Sequence, residues 1–381
     1  MTRETEYRVL DIAELHAGYG ETEILHGLNI HVDPGEIVVV VGQAEAGQEI
    51  DAAALYGEDI RARAYLVQDP LAGELFLRPD FTVPVARLHM QQGLSPARYH
   101  YDGLVWRRQE AGVDRPTEYL QAGIELIGGL DPAAEEAEVF SLIRAALGDL
   151  SASVVTGDLG VIFAAIDALT TSEIRKAALR RHVWRPKRFH ALLDRYAGGA
   201  AADAARERLL AASIAERRKA IAAAGKFVGL RGEDEILARL DNLDAEAAEP
   251  PLPDDDRAMI EAVLAVRAPS DQALASLRAI CPRSMAPALG RMERRLDALA
   301  GKGVEPANLP FDAAFGRSLE YYDGFVFEFR ASDPALPSLG GGGRYDALTA
   351  NLAGGAGSPA VGGVVRPEAM NAAEKTVGAQ R

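Results

Sequence analysis

A long stretch of helical periodicity separates two strand-rich parts of the chain. Residues 158–304 are rich in Ala, Leu, Arg and Glu, and their apolar side chains recur at the 3.6-residue spacing of helices. Strand-like segments precede this stretch at residues 63–67, 99–107 and 118–126, and another follows it at residues 322–329. We therefore predict an α+β fold, with an antiparallel sheet flanked by helices and a helical insertion over residues 158–304.

The composition limits the functions that the chain can have. Its 381 residues include 56 acidic and 41 basic side chains, a formal net charge of −15. Nucleic-acid binding depends on Lys and Arg that neutralise phosphates, so this charge disfavours tRNA as a ligand. The single cysteine, Cys281, excludes a disulfide framework and a Cys-based metal site. The longest apolar run, residues 37–41, is far shorter than the ~20 residues that span a bilayer. We expect a cytoplasmic protein with no membrane segment, metal or cofactor.

The N-terminal segment, residues 1–50, contains the glycine spacing of a phosphate-binding loop. Gly42 and Gly47 follow a hydrophobic strand-like run at the spacing that this motif requires. The motif also needs a Lys for the phosphates and a hydroxyl for Mg²⁺, but this chain has Gln48 and Glu49 there. A carboxylate repels a triphosphate, so we predict a degenerate loop without ATP chemistry.

The same segment resembles the start of an ABC-transporter ATPase. The resemblance rests on residues 15–28, which include Gly18-Tyr19-Gly20, and on the Pro-Gly-Glu-Ile-Val sequence of residues 34–38. Beyond it, the chain contains neither the second acidic motif nor the Ser-Gly-Gly-Gln signature of that family. We therefore interpret residues 1–50 as an ABC-ATPase-like segment, either fused or artefactual. An ABC ATPase is one functional alternative, and it would require steady ATP hydrolysis by this segment.

Beyond residue 51, four motifs in order resemble those of histidyl-tRNA synthetases. They are an amino-acid-binding loop at residues 77–87, a class II motif 2 at residues 99–125, a histidine-specific loop at residues 316–328, and the beginning of motif 3 at residues 341–363. The resemblance implies a class II aminoacyl-tRNA synthetase-like core. We predict that this core comprises residues 51–157 and 305–381.

The polar residues in these motifs are suited to a small zwitterionic ligand, because they combine carboxylates, guanidinium groups and neutral hydrogen-bonding groups. The resemblance implies that the ligand is histidine, with Glu125 and Tyr322 facing the imidazole and Arg317 near the carboxylate. Taken singly, the charged residues could instead form structural ion pairs, and the two tyrosines could be core aromatics. The predicted histidine-binding residues are Asp80, Thr82, Arg107, Gln121, Glu125, Arg317, Tyr321 and Tyr322.

Several positions depart from the synthetase pattern where ATP would bind. Gln109 replaces a glutamate of motif 2, and Thr117 stands where a second arginine is expected. Ala369 occupies the position of the motif 3 arginine, and Pro367 beside it fixes the backbone torsion φ. Phosphoryl chemistry depends on such groups for positioning and charge stabilisation, so we expect no catalysis by this chain.

Other segments resemble the family of regulatory subunits of ATP phosphoribosyltransferase more closely than they resemble the synthetases. They are residues 56–61, 78–82, 107–110, 181–188 and 365–368. The resemblance implies a non-catalytic subunit that associates with a short catalytic subunit, in a hetero-octamer in this family. The complex condenses ATP with phosphoribosyl pyrophosphate in the first step of histidine biosynthesis, and histidine inhibits it. The alternative is a synthetase-like ligase that forms an aminoacyl adenylate for an acceptor other than tRNA.

Overall fold

The structure is a computed structural model. It describes residues 10–19, 22–32, 38–41, 47–49, 62–70, 73–92, 95–109, 115–199, 204–225, 232–316 and 320–379. Up to residue 49 only the backbone is described.

Fourteen strands lie within the described residues. They are β1 (Leu10–Tyr19), β2 (Thr22–Val32), β3 (Val38–Val41), β4 (Gly47–Glu49), β5 (Leu66–Asp69), β6 (Gly73–Leu77), β7 (Ala97–Trp106), β8 (Glu118–Ile127), β9 (Ala152–Asp158), β10 (Arg267–Pro269), β11 (Pro310–Asp312), β12 (Phe325–Ala331), β13 (Gly340–Arg344) and β14 (Ala360–Val365).

The described residues also form thirteen α-helices. They are α1 (Thr82–Gln92), α2 (Pro132–Ala146), α3 (Leu159–Asp167), α4 (Glu173–Arg181), α5 (Pro186–Tyr196), α6 (Ala204–Ala211), α7 (Ile214–Ala223), α8 (Glu233–Ala248), α9 (Asp254–Ala265), α10 (Ser270–Ile280), α11 (Ala286–Gly301), α12 (Asp346–Ala353) and α13 (Pro367–Ala379).

The chain divides into two compact units. The first comprises Met1–Ser153 with Glu328–Arg381, and the second comprises Val154–Phe327. The second unit contains the whole predicted insertion, residues 158–304, and continues to Phe327 because β11 pairs with both β10 and β9. The boundaries between the units therefore fall inside β9 and β12, while the domain limits drawn from the sequence stay a prediction.

In the first unit, strands pair in the order β13-β14-β8-β7-β3. The pairs β13–β14, β14–β8 and β7–β8 are antiparallel, as predicted, whereas β3 at the edge pairs parallel with β7. Side chains along β7 alternate between buried and exposed, which is the period-2 pattern of a strand with one covered face. The long β7–β8 register runs from the pair Ala97 and Ile127 to the pair Trp106 and Glu118.

The strands β3 and β4 connect the N-terminal segment to this unit. The strand β4 pairs antiparallel with β6, placing Gly47 opposite Leu77 and Glu49 opposite Leu75. A phosphate-binding loop would place these residues at the start of a helix. Gly47, Gln48 and Glu49 instead form a paired strand, while Gly42 lies outside the described residues, and the degenerate phosphate loop stays a prediction.

Helix α2 covers the sheet of the first unit, and glycines allow its close approach. A Cβ on Gly363 of β14 would lie 2.7 Å from Ile143 of α2, and one on Gly340 of β13 would lie 3.3 Å from the same side chain. The contact at Gly363 is shorter than real Cβ atoms make, and the one at Gly340 is tighter than most, so Gly363 in particular fixes the packing distance. The helix thereby buries the back of the strands that carry the candidate site.

The second unit is mainly helical, in agreement with the predicted periodicity. Helices α3 to α11 follow one another between residues 159 and 301. The carboxylate of Asp158 caps α3 by accepting the Val161 amide at 3.3 Å, and it also accepts from the guanidinium of Arg295 on α11 at 2.7 Å. Both members of this ion pair are buried, so the pair links α3 to α11. Among the helices described in either unit, none is long and apolar enough to cross a bilayer.

The start of α2 gives a direct test of the sequence-derived capping. The side chain of Asp131 accepts the amides of Ala133 and Ala134 at 3.2 Å each, and Pro132 occupies the first turn. We expect Asp131→Ala to lower the free energy of unfolding by about 1 kcal/mol, because two amides lose their acceptor. Urea denaturation measures the change. The control Asp149→Ala removes an exposed carboxylate, and an equal loss in both variants would contradict the capping role.

Candidate functional site

The carboxyl group of Glu125, on β8, is the centre of a buried polar cluster in the first unit. Its side chain is only 1% exposed. Its Oε1 accepts hydrogen bonds from the hydroxyls of Thr82 at 3.0 Å and Tyr101 at 3.3 Å, and its Oε2 accepts one from Tyr345 at 2.6 Å. These hydroxyls come from α1, β7 and the start of α12, so three separate segments converge on one carboxyl group.

Glycines on the neighbouring strands make room for this cluster. Gly362 of β14 lies opposite Glu125 in the register, and a Cβ there would lie 1.5 Å from Glu125 Oε2. Gly123 of β8 lies opposite Tyr101 of β7, and a Cβ there would lie 2.4 Å from the Tyr101 hydroxyl. Any larger residue at either position would displace a polar group of the site.

Tyr101 and Tyr345 belong to this polar cluster, and the sequence analysis did not include them among the predicted site residues. Tyr101 is held in place by its stacked ring contact with Phe81, with centroids 4.6 Å apart. The Phe81 ring is held in turn by Arg78, whose guanidinium lies 4.0 Å from the ring centroid and donates to the Leu104 carbonyl. The period-2 pattern of β7 could have indicated Tyr101, because it places this residue on the buried face beside Tyr99.

A second buried carboxylate lies in the loop before α1. Asp80 is 3% exposed, and its Oδ2 accepts from Arg107 at 3.3 Å. Arg107 also donates through Nε to the Pro79 carbonyl at 2.7 Å, which fixes its guanidinium in the loop. Asp80 and Arg107, each predicted to bind histidine, therefore form a largely buried ion pair, in which the arginine neutralises this acid.

Gln121 lies four residues before Glu125 on β8, so the period-2 alternation of a strand places both on the same face. Its side chain is 1% exposed, and its Oε1 accepts no hydrogen bond from any residue that the structure describes. Burying an amide oxygen without a donor costs free energy that folding alone does not recover. Such an orphaned acceptor is the property expected of a side chain that binds a ligand N–H.

Burial determines the electrostatics of both acids. Desolvation raises the pKa of Glu125 to about 8, and the nearby Asp80 charge raises it too, against the lowering effect of the three hydroxyls. Desolvation also raises the pKa of Asp80, to about 6, although the Arg107 charge and the backbone amides of Thr82 and Val83 oppose this. At neutral pH the cluster therefore combines an ionised Asp80 with a Glu125 that retains most of its proton.

Of the other three predicted histidine-binding residues, two lie in the second unit and one lies outside the described residues. Tyr321 and Tyr322 belong to the second unit, where both are buried and their rings lie 4.6 Å apart at a tilt of 53°. Glu320 beside them forms an ion pair with Arg185 at 3.2 Å. Arg317 lies outside the described residues. The structure thus brings together Asp80, Thr82, Arg107, Gln121 and Glu125 in the first unit.

The positions that correspond to ATP-binding groups have structural partners of their own. The Gln109 amide accepts from Arg63 at 3.2 Å and donates to the Pro116 carbonyl at 2.7 Å. Ala369 is buried at the start of α13, and its neighbour Glu368 accepts the Leu120 amide at 3.3 Å. These side chains therefore hold α13 and the loop after β7 in place.

The described residues contain no group of His, Cys, Asp or Glu side chains that could hold a metal ion. What the cluster offers is therefore hydrogen bonding and charge. Its acids, amide and hydroxyls can accept ammonium and ring N–H groups, and Arg107 can donate to a carboxylate.

A comparison with family models identifies the group of proteins to which this arrangement belongs. The model described as histidyl-tRNA synthetase matches residues 48–250 and 233–370, which together are most of the chain. The ATP phosphoribosyltransferase regulatory subunit of Brucella anthropi is 31% identical over 367 residues, covering 91% of this chain and 96% of the relative. The chain belongs to the histidyl-tRNA synthetase-like family of ATP phosphoribosyltransferase regulatory subunits.

Further members of this family agree with the assignment. The protein of the same name from Brucella ovis is 32% identical over 338 residues, covering 80% of this chain and 85% of the relative. The family predicted from the ordered motifs is therefore confirmed. The match to the family model begins at residue 48, and the resemblance of residues 1–50 to an ABC ATPase stays a prediction.

Solved structures show the same fold. The ATP phosphoribosyltransferase regulatory subunit/histidyl-tRNA synthetase from Bacillus halodurans has a TM-score of 0.60 at 23% identity, over 89% of this chain and 74% of that chain. The histidine–tRNA ligase subunit from Alicyclobacillus acidocaldarius has a TM-score of 0.51 at 24% identity, over 90% of this chain and 88% of that chain. The predicted class II synthetase-like fold is confirmed.

The raised pKa of Glu125 predicts how stability changes with pH. The pKa moves from 4.5 to about 8 on folding, so between these values the native chain binds more protons than the unfolded chain. The free energy of unfolding therefore falls as pH rises through this window, by at most about 1.4 kcal/mol per pH unit from this group.

The difference between wild type and Glu125→Gln isolates this contribution. Urea denaturation at several pH values should show that the wild type loses stability relative to the variant as pH rises. Glu138→Gln is the matched control, because Glu138 lies at the surface in an ion pair with Arg98. A wild type and Glu125→Gln variant with parallel pH profiles would show that Glu125 titrates normally.

Proposed function

We propose that this chain is a non-catalytic regulatory subunit of ATP phosphoribosyltransferase, the enzyme of the first step of L-histidine biosynthesis. It would associate with the short catalytic subunit, be required for its activity, and confer feedback by histidine. The names of the relatives, ATP phosphoribosyltransferase regulatory subunit, support the role in this complex. The buried cluster around Glu125 is the observation that carries the ligand part of the proposal.

The charge of the cluster favours an amino acid with a basic or N–H-bearing side chain. Two buried acids face one arginine, so the cluster has an excess negative charge when both acids are ionised. An ammonium group placed between Asp80 and Gln121 would compensate that charge and satisfy the orphaned amide oxygen. A ring N–H directed at Glu125 would find an acceptor already oriented by three hydroxyls.

The ATP-binding positions support a role without catalysis. Where the family's synthetases have charged groups for the triphosphate, this chain has the neutral side chains Gln109, Thr117 and Ala369. Gln109 is further tied to Arg63 and to a backbone carbonyl, so its amide is engaged within the fold. Without those charges, the negative charge that develops in an adenylation transition state lacks its main source of stabilisation. Histidine-dependent pyrophosphate exchange by the purified chain would support the ligase alternative.

The regulatory role predicts a change of rate on mixing. Adding the purified chain to the short catalytic subunit should raise the rate of phosphoribosyl transfer from phosphoribosyl pyrophosphate to ATP. The rate should saturate at a fixed ratio of the two proteins, because the active species is a complex. A catalytic rate that is the same with and without the chain, over a range of ratios, would reject the role.

Gln121 separates ligand binding from stability. Because its Oε1 has no donor among the described residues, Gln121→Leu removes no hydrogen bond that this oxygen accepts within the fold. We expect an unchanged or higher free energy of unfolding, together with about tenfold weaker histidine binding in calorimetry.

The matched control for this variant is Thr156→Val, which removes a buried hydroxyl that donates to the Pro310 carbonyl at 2.8 Å in the second unit. That variant should lose stability and keep its histidine affinity. Equal histidine affinity in Gln121→Leu and wild type would exclude Gln121 from the ligand site.

A further inference from the structure

The hydrogen-bond partners of Glu125 are all hydroxyl groups. Thr82, Tyr101 and Tyr345 donate to its two oxygens, and within the described part of the chain no Lys or Arg forms an ion pair with it. The arginine of the cluster, Arg107, pairs with Asp80 instead. A buried carboxylate in such surroundings lacks the counter-charge that normally stabilises it.

Hydroxyl groups fit both protonation states of a carboxyl group. Each hydroxyl can donate one hydrogen bond and accept others, so a proton on Glu125 can point to one of the three oxygens after a rotation of that hydroxyl hydrogen. The heavy atoms need not move, and Gly362 keeps the space beside Oε2 free of a side chain. The cluster can therefore exchange a proton without rearrangement of the strands.

The other groups packed around Glu125 also favour its neutral form. Asp80, in the loop before α1, places a second buried acid nearby, and its charge raises the pKa of Glu125. Tyr99, opposite Glu125 on β7, bonds to Nδ1 of His89 on α1 at 3.0 Å, and burial lowers the pKa of that imidazole. The neighbouring histidine therefore supplies no positive charge at neutral pH, and Gln121 of β8 is uncharged.

A ligand N–H changes this balance. An ionised carboxylate is a much stronger acceptor than a carboxylic acid, so an N–H donor at Glu125 favours the ionised form. Burial gives Glu125 a pKa of about 8, so at pH 7 most molecules must lose a proton to accept such a donor.

We propose that Glu125 holds a proton at neutral pH before a ligand binds, and that a neutral ring N–H of the ligand displaces it to solvent. This inference rests on the proposed function, because it takes histidine as the ligand. The step balances as a carboxylic acid and an N–H donor becoming a carboxylate that accepts the N–H hydrogen bond, with one proton released to the buffer. Histidine binding would therefore strengthen as pH rises, which links feedback to intracellular pH.

Infrared spectroscopy tests the proton without any ligand. The wild type at neutral pH should show the carbonyl band of a protonated carboxylic acid, and this band should disappear in Glu125→Gln. Glu138→Gln, which changes a partly exposed glutamate that is paired with Arg98, should keep it. Identical spectra for the wild type and Glu125→Gln would overturn the proposal.

Calorimetry tests the release. Histidine is titrated into the full chain in buffers of different ionisation enthalpy, and the slope of observed enthalpy against that enthalpy gives the number of protons released. We expect nearly one proton at about pH 7, and an affinity that rises roughly fivefold to tenfold by about pH 8.5. Glu125→Gln should release none, and a wild type that binds histidine without proton release would reject the linkage.

A second variant shifts the linkage instead of removing it. Tyr345→Phe deletes the shortest hydrogen bond to Glu125, which stabilises the ionised form. Proton release should then persist to higher pH than in the wild type. An unchanged pH midpoint of proton release would contradict the role of the three hydroxyls that donate to Glu125.

The two levels of the account fail differently. If the infrared band is present but neither the wild type nor Glu138→Gln binds histidine, then the ligand assignment and the release step are both rejected, while the stored proton stands. If histidine binds and the band is absent, the ligand assignment stands and the stored proton is rejected.

Discussion

The structure of the first unit depends on burying the carboxyl group of Glu125 inside a sheet without an opposing charge. Removing a carboxylate from water is costly, and a fold accepts that cost only where other groups offset it. Here three hydroxyls donate to the carboxyl oxygens, and burial shifts its pKa to about 8 so that the neutral form predominates. Gly362 gives the group its space.

The other features of the site follow from this constraint. Because β7 and β8 pair in a long antiparallel register, Tyr101 meets Gly123 and projects its hydroxyl toward Glu125. The stacking of Phe81 on Tyr101 then positions the loop in which Asp80 binds Arg107. The Oε1 of Gln121, which accepts no hydrogen bond from the described residues, adds an acceptor that the proposed N–H-bearing ligand would use.

Much of this fold could be predicted from the sequence, because the relevant signals are local. The alternation of β7, the cap of α2 at Asp131 and the periodicity of residues 158–304 depend on residues close to one another in the chain. The predicted site residues came from ordered motifs of a known family, and five of them lie in one unit.

The features that escaped prediction depend on contacts between distant segments. Tyr345 lies 220 residues from Glu125 in the chain. It directly follows β13, and the pairing of β13 with β14 and of β14 with β8 brings it close to Glu125. The pairing of β4 with β6 likewise places Gly47 in a strand, which the glycine spacing of Gly42 and Gly47 did not indicate. A spacing pattern does not determine which strand a segment pairs with.

The central claim, that this cluster is the histidine site of a regulatory subunit, is tested most directly in the assembled enzyme. Phosphoribosyl transfer by the complex with the short catalytic subunit is measured against histidine concentration, for the wild type and for Gln121→Leu. The account predicts that histidine inhibits the wild-type complex and that the half-inhibiting concentration rises about tenfold in the variant. Equal half-inhibiting concentrations in the two complexes would contradict it.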